Sequence, residues 1–231
     1  MSCVPPPVSP ASPRPAPGRP RFRAALLAAP LLAALISAAP ATAMPGPALC
    51  ALPGPATPTG QQWQAEPPLT VERATYAATL NTTCGPLTLE LDAAAAPRTV
   101  NSFAFLAAQQ YFDHTACHRL TTDGIFVLQC GDPTASGTGG PGYKFPDENL
   151  AGAVYPAGTV AMANAGPGTN GSQFFLVYRD SQLPPSYTPF GRVTAGLDLL
   201  NGIAAAGVIG GGGDGAPAVP VVLDSVTVAK V

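Results

Sequence analysis

The sequence predicts a mainly β fold, a closed antiparallel barrel with helices at its ends. Three observations lead there. Short apolar runs recur along the chain, one of them, Leu87 to Leu91, alternating strictly between apolar and polar residues. Gly, Pro and Asn cluster between those runs, as turns require. Only two segments carry helical spacing, and each stands alone between strands.

Tyr76 to Leu80 and Leu87 to Leu91 form the first pair, joined by Asn81-Thr82-Thr83-Cys84-Gly85-Pro86. Leu87, Leu89 and Leu91 fall on one face with Thr88 and Glu90 on the other, the pattern of a half-buried strand in a hairpin. Pro97 opens a helix running to Gln110. Val100, Phe103, Leu106 and Ala107 follow near helical spacing, Thr99 is a candidate cap, and Asn101 and Ser102 fall on the polar side. Cys117 to Leu120 and Ile125 to Gln129 are the next two strands, followed by a long Gly-rich loop from Asp132 to Asp147. Thr159 to Ala163, Gln173 to Tyr178 and Phe190 to Val193 continue the sheet. Leu197 to Ala206 reads as the second helix, with Leu197, Leu200 and Ile203 spaced three apart, and Val219 to Val228 is the last strand.

The segment before this domain has a different character. Arg14, Arg19, Arg21 and Arg23 precede an apolar run from Ala24 to Ala39, and Ala41-Thr42-Ala43 supplies an A-x-A-like cleavage site, so residues 1–43 read as a secretory signal. A retained membrane anchor is the alternative, but the run is short of the roughly 20 apolar residues a span needs. It is also broken by Pro30 and Pro40. Lipidation at Cys50 finds poor support in Pro47-Ala48-Leu49. Residues 44–68 are rich in Pro, Gly and Thr and read as a disordered tether, which places the start of the ordered domain near Leu69. Trp63 is the exception there, either packed on the domain surface or exposed.

Removing the four signal arginines from the 11 basic residues leaves 7 against 13 acidic, a net charge of about −6. An acidic domain without a basic stripe argues against nucleic acid and against an anionic membrane surface as partner. Cys50, Cys84, Cys117 and Cys130 are an even set, which an exported chain could oxidise, and no spacing points to zinc. If Arg119 lies opposite Gln129, Cys117 and Cys130 point to opposite faces, which argues against their bridging. Buried free thiols fit equally well.

The most informative stretch runs from Met162 to Phe175, MANAGPGTNGSQFF. Asn164, Asn170 and Gln173 bring amides into a segment flanked by Met162, Phe174 and Phe175, an apolar wall with a few polar groups suited to a peptide slot. It closely resembles the signature of the cyclophilins, a family of peptidyl-prolyl isomerases, and similar wording runs in order from about Tyr76 to Val228. The resemblance implies an eight-stranded barrel capped by two helices. His118-Arg119, Phe126 and Gln129 resemble the family's catalytic strand pair, which implies catalytic roles for Arg119, Phe126 and Gln129. It implies a proline pocket of Phe126, Val127, Phe175 and Leu183, peptide contacts from Gln129, Ala163, Asn164, Ala165 and Gln173, and Tyr187 at the rim. It implies no metal, nucleotide or redox cofactor. The expected partners are proline-containing peptides and unfolded exported proteins, with a monomer as the default.

The chain departs from the familiar eukaryotic members in several places. The connection from Arg119 to Phe126 is longer by about two residues, judged from the flanking matches. Gln182 stands where those members carry a tryptophan that recognises cyclosporin. Tyr187 replaces a histidine, and Val127 a methionine. The remaining candidates are weaker. Gly137 to Gly142 lacks the Lys-Ser/Thr of a phosphate loop. Ser172 lacks the second glycine of a nucleophile elbow, so a serine hydrolase is disfavoured. His118 has no acid or nucleophile spaced for proton transfer and reads as structural. A non-catalytic proline-peptide binding module remains the main alternative to an enzyme.

Overall fold

The structure, a computed structural model, describes residues 50–231. The stretch expected to be a secretory signal, its expected cleavage site and the start of the expected tether lie outside the described residues. The elements are β1 (Thr75–Thr82), β2 (Gly85–Asp92), α1 (Pro97–Ala108), β3 (Thr115–Ala116), β4 (Arg119–Thr121), β5 (Val127–Cys130), β6 (Thr159–Met162), β7 (Phe174–Val177), β8 (Pro189–Ala195), α2 (Leu197–Ala205), β9 (Asp214–Gly215) and β10 (Val222–Lys230). Among the described residues no helix is long and apolar enough to cross a membrane.

One antiparallel sheet carries all ten strands in the order β3-β10-β1-β2-β8-β6-β7-β5-β4-β9. The fold is mainly β with two helices, as expected, but the ladder is not the closed eight-stranded barrel. The difference lies in one stretch. Cys117 to Leu120 was expected as a continuous strand, yet pairing breaks at Cys117-His118. Thr115–Ala116 pairs with β10, and Arg119–Leu120 pairs with β5. Residues 115–121 therefore belong to two distant places in the strand order, and the two-residue β9 adds a further edge beside β4.

That break also explains the cysteines. Arg119 does lie opposite Gln129. The ladder stops there, however, so the alternation that would set Cys117 and Cys130 on opposite faces does not reach Cys117. The Cys117 N–H instead donates to Val221, and Cys117 and Cys130 form a disulfide, as do Cys50 and Cys84.

The core follows the predicted alternation. Leu87, Leu89 and Leu91 are all buried. Phe103, from α1, meets the rings of Phe112, Phe174 and Phe190 at 4.9, 5.3 and 5.5 Å between centroids. Strand β7 is buried on both faces. Phe174 and Leu176 enter this main core, whereas Phe175 and Val177 join a smaller cluster with Val127, Tyr155 and Ala161. The smaller cluster is the floor of the site described below.

Helix α1 is not capped by Thr99. Pro97 occupies the first turn, and no side chain at the N-cap, Ala96, bonds the exposed amides. Glu148, just past the long Gly-rich loop, serves instead: its carboxylate accepts from the N–H groups of Arg98 (3.1 Å) and Thr99 (2.8 Å) and from the Thr99 hydroxyl. A carboxylate at this end also complements the helix dipole.

Asn101 and Ser102, expected on a polar face, are buried. What buries Asn101 is the segment expected to be a disordered tether. From residue 50 to about 74 the chain has almost no regular structure, yet it is pinned along its length. Cys50 is bonded to Cys84 and the Ala51 N–H donates to Thr83. Trp63 stacks edge-on to Phe105 (5.2 Å) and against Tyr111 (5.8 Å). Glu66 pairs with Arg98. The Asn101 amide accepts from the N–H groups of Thr70 and Val71 and donates to the Pro67 and Pro68 carbonyls. Proline withholds N–H groups but leaves carbonyls free, so one buried amide can hold a proline-rich strap. Composition signalled disorder because the strap buries little of its own; its ordering comes from contacts with the domain, namely a disulfide, one tryptophan, an ion pair and the Asn101 amide.

Candidate active site

Arg119 and Gln129 are opposite partners on β4 and β5, so their side chains share one face, while Leu120 and Leu128 point into the core. On that face a cavity of about 160 Å³ is lined by Arg119, Ile125, Val127, Gln129, Ala163, Asn164, Phe175, Leu183 and Tyr187. Eight of the eleven residues expected at the site converge there. Ala165 and Gln173 line a neighbouring groove of about 480 Å³, which shares Gln129, Ala163 and Asn164 with the cavity.

Phe126 lies outside both, which corrects its expected place in the pocket. Its neighbour Val127 is a cavity wall, and in an extended chain adjacent residues point to opposite sides. The Phe126 ring is covered by the Arg179 guanidinium, 3.4 Å from its centroid, and meets Tyr178 edge-on. Ile125, two residues before Val127, takes the vacated position. The same parity rule could have found it in the sequence; the lengthened connection after Arg119 obscured it.

The floor is aromatic. Phe175 meets Tyr187 edge-on at 5.6 Å, and Tyr187 is fixed by Tyr155, whose hydroxyl donates to the Tyr187 carbonyl and accepts from its N–H. Asn164 uses its side-chain amide structurally, donating to the Ser186 carbonyl at 2.8 Å. It thereby ties the segment carrying Leu183 and Tyr187 to the cavity edge.

The polar rim is a chain of oriented amides. Gln173 donates to the Gly139 carbonyl (2.9 Å), Gln129 donates to Gln173 Oε1 (2.8 Å), and Arg119 Nη1 donates to Gln129 Oε1 (3.4 Å). The far edge of the guanidinium is held by Asp214. Nε donates to Oδ1 at 2.8 Å and Nη2 to Oδ2 at 2.6 Å. This ion pair raises the Arg119 pKa and holds the Asp214 carboxyl below its ordinary value. Asp214 carried no signal in the sequence, being 95 residues from Arg119 in a Gly-rich segment.

Burial lowers the His118 pKa below its ordinary value; the nearby Asp132 carboxylate opposes the shift and the charge of Arg119 adds to it. Ser172 donates to the Gly131 carbonyl at 2.7 Å and contacts the Tyr111 hydroxyl, a structural assignment for the serine. The Gly-rich loop is organised by buried Asp132, which accepts from the N–H groups of Thr134, Gly137 and Gly139. Burial alone would raise the Asp132 pKa; these donors and the Thr134 hydroxyl outweigh it and hold the carboxyl below the usual range. The loop then packs on the strap. Gly142 has a positive φ of 90°, and a Cβ there would run into the Trp63 carbonyl oxygen. Gln62 consequently forms part of the groove wall.

A small cavity with an aromatic and aliphatic floor, a fixed cation at its mouth and amides along its rim is the arrangement expected of a site that grips a ring and orients a peptide. The family profile described as cyclophilin type peptidyl-prolyl cis-trans isomerase/CLD matches residues 77–228. The chain therefore belongs to the cyclophilin-type peptidyl-prolyl cis-trans isomerase family. It is 52% identical over 166 residues to a probable peptidyl-prolyl cis-trans isomerase B of Mycobacterium leprae, covering 66% of this chain and 56% of the relative. With the Mycobacterium tuberculosis protein of the same name it is 56% identical over 144 residues, 56% of this chain and 47% of the relative. The chain thus spans about half the length of these curated relatives. Among solved structures, a cyclophilin type isomerase of Cryptosporidium parvum matches with a TM-score of 0.61 at 28% identity, covering 68% of this chain and 99% of that one. A second structure of that protein, in the presence of the dipeptide ala-pro, matches with a TM-score of 0.60 at 29% identity, covering 67% of this chain and 99% of that one.

Proposed function

We propose that this chain is a peptidyl-prolyl cis-trans isomerase that rotates Xaa-Pro bonds in exported proteins. The observation that carries the proposal is the Arg119–Gln129 pair at the mouth of an apolar cavity floored by Phe175. The reaction breaks no covalent bond. Its barrier of roughly 18–20 kcal/mol is amide resonance, and the tertiary amide already brings cis and trans close in energy. The catalyst must favour the twisted amide, in which resonance is lost and the prolyl nitrogen regains a lone pair.

In this reading the proline ring sits on Phe175 between Val127, Ile125 and Leu183, and Arg119 directs a preorganised N–H at the prolyl nitrogen. Such donors act most strongly where water is excluded. The Asn164 main chain takes the peptide backbone as an added strand would, and Ala163, Ala165 and Gln173 carry its continuation into the groove. Phe126 acts from behind, as packing. The presence of ala-pro with the Cryptosporidium protein accords with this substrate class.

Export is supported by the Arg-rich, apolar beginning of the chain and by the two disulfides, which suit an oxidising compartment. There, proline isomerisation is a slow step that a cofactor-free catalyst can accelerate. The test is exchange spectroscopy on an Ala-Pro peptide with the chain from residue 44 onward. Accelerated cis/trans exchange supports the enzyme; binding without acceleration would leave a proline-peptide binding module.

The exposed Gln182 lies beside the cavity wall residue Leu183 and offers neither an indole N–H nor a large apolar face. Cyclosporin is expected to inhibit poorly, and Gln182→Trp to improve inhibition. Nanomolar inhibition of the unmodified chain in the same assay would refute this.

A further inference from the structure

We propose that Asp214 is a positioning residue for the isomerase reaction, selecting which edge of the Arg119 guanidinium faces the substrate. The inference rests on the isomerase reading above. A guanidinium offers five N–H donors in one plane, at Nε, Nη1 and Nη2. The Asp214 carboxylate takes the Nε/Nη2 edge in a two-point fork at 2.8 and 2.6 Å. Three N–H donors remain, two on Nη1 and one on Nη2, and Nη1 is directed at Gln129 on the cavity rim. The Gln129 contact is long, at 3.4 Å, and single. Alone it cannot fix the rotation of so long a side chain, whereas the planar fork can.

The fold goes to some length to deliver this carboxylate. Asp214 comes from β9, which pairs with β4 through Thr121 and Leu120, placing residue 214 diagonally across from Arg119. The Thr122 N–H donates to the Gly213 carbonyl at 2.8 Å. Gly213 approaches so closely that a Cβ there would strike Asp123. Both partners are substantially exposed, with side-chain exposures of 40% for Arg119 and 54% for Asp214. An exposed ion pair of this kind contributes little to folding, so its removal separates positioning from stability.

The experiment compares the parent with Asp214→Asn, Asp214→Ala and Asp214→Glu by exchange spectroscopy on an Ala-Pro peptide, with the 15N guanidinium resonances of Arg119 followed in parallel. The expected results are a fall in kcat of about 10-fold or more for the Asn and Ala variants, the scale of effect that misplacing a reacting group produces. KM should change little, recovery in the Glu variant should be partial, and the resolved Nη resonances of a held guanidinium should be lost in Asn and Ala. Parent-like kcat in the Asn and Ala variants overturns the proposal. So does a loss of activity that merely follows a lowered melting temperature, which would make the pair structural. An inactive parent whose Arg119 resonances still respond to Asp214→Asn would refute the isomerase reading while leaving the fork itself in place.

Discussion

Replacing Arg119 with alanine is expected to lower kcat/KM for Ala-Pro exchange by about 10²–10³-fold, the usual consequence of losing one preorganised donor from an electrostatic site. The fold should survive, because Arg119 lies at the end of a three-residue strand and is 40% exposed. Arg119→Lys should recover little. An ammonium is a compact point charge and cannot fork onto Asp214 while presenting a second edge to Gln129. Exchange spectroscopy on the three proteins at equal concentration checks both statements. An alanine variant as active as the parent would mean that the apolar cavity alone drives rotation.

Phe174→Ala is expected to destabilise the domain by about 3–5 kcal/mol, the cost of emptying a core aromatic site that cannot collapse. Phe174 is fully buried and touches Phe103 and Phe112 edge-on. Phe103 belongs to α1 and Phe112 to the turn that follows it, and both are buried and packed on each other as well, so relaxation is limited. Denaturant titration should show a lower midpoint with an unchanged slope. Phe175→Ala, one residue along the same strand, should act differently. It removes the cavity floor and its contact with Tyr187, so peptide affinity falls along with stability. The two adjacent variants therefore separate the core from the site.

Much of this was legible in the sequence, for identifiable reasons. The Leu87, Leu89, Leu91 alternation and the spacing of Val100, Phe103 and Leu106 are local periodicities, and local periodicity survives tertiary context when one face is buried. The Met162–Phe175 stretch could be placed because its amides and aromatics are close together in the chain. What escaped notice depended on non-local pairing. The strand break at Cys117-His118 exists because Thr115–Ala116 answers to β10 and Arg119 to β5. The disulfide Cys117–Cys130 follows from that break. Phe126 was misplaced because a resemblance assigned it and Val127 to one pocket, against the two-residue period of a strand. Asp214 reaches Arg119 only through the β4–β9 pairing. The strap was misread because composition measures what a segment can bury by itself and not what a single tryptophan can dock into.

The strap alters where the domain can be cut. A fragment beginning at Leu69, the boundary composition indicates, would lose the partner of Cys84 and the indole that covers Phe105 and Tyr111. It would also lose Glu66 from Arg98 and the proline carbonyls from buried Asn101. Such a fragment carries both an unpaired thiol and a newly bared aromatic patch, a combination that invites covalent dimers and aggregation. Starting upstream of Cys50 keeps thiol, indole and groove wall together as one unit, so the proline-rich strap is better regarded as the first course of the domain's masonry than as its tether.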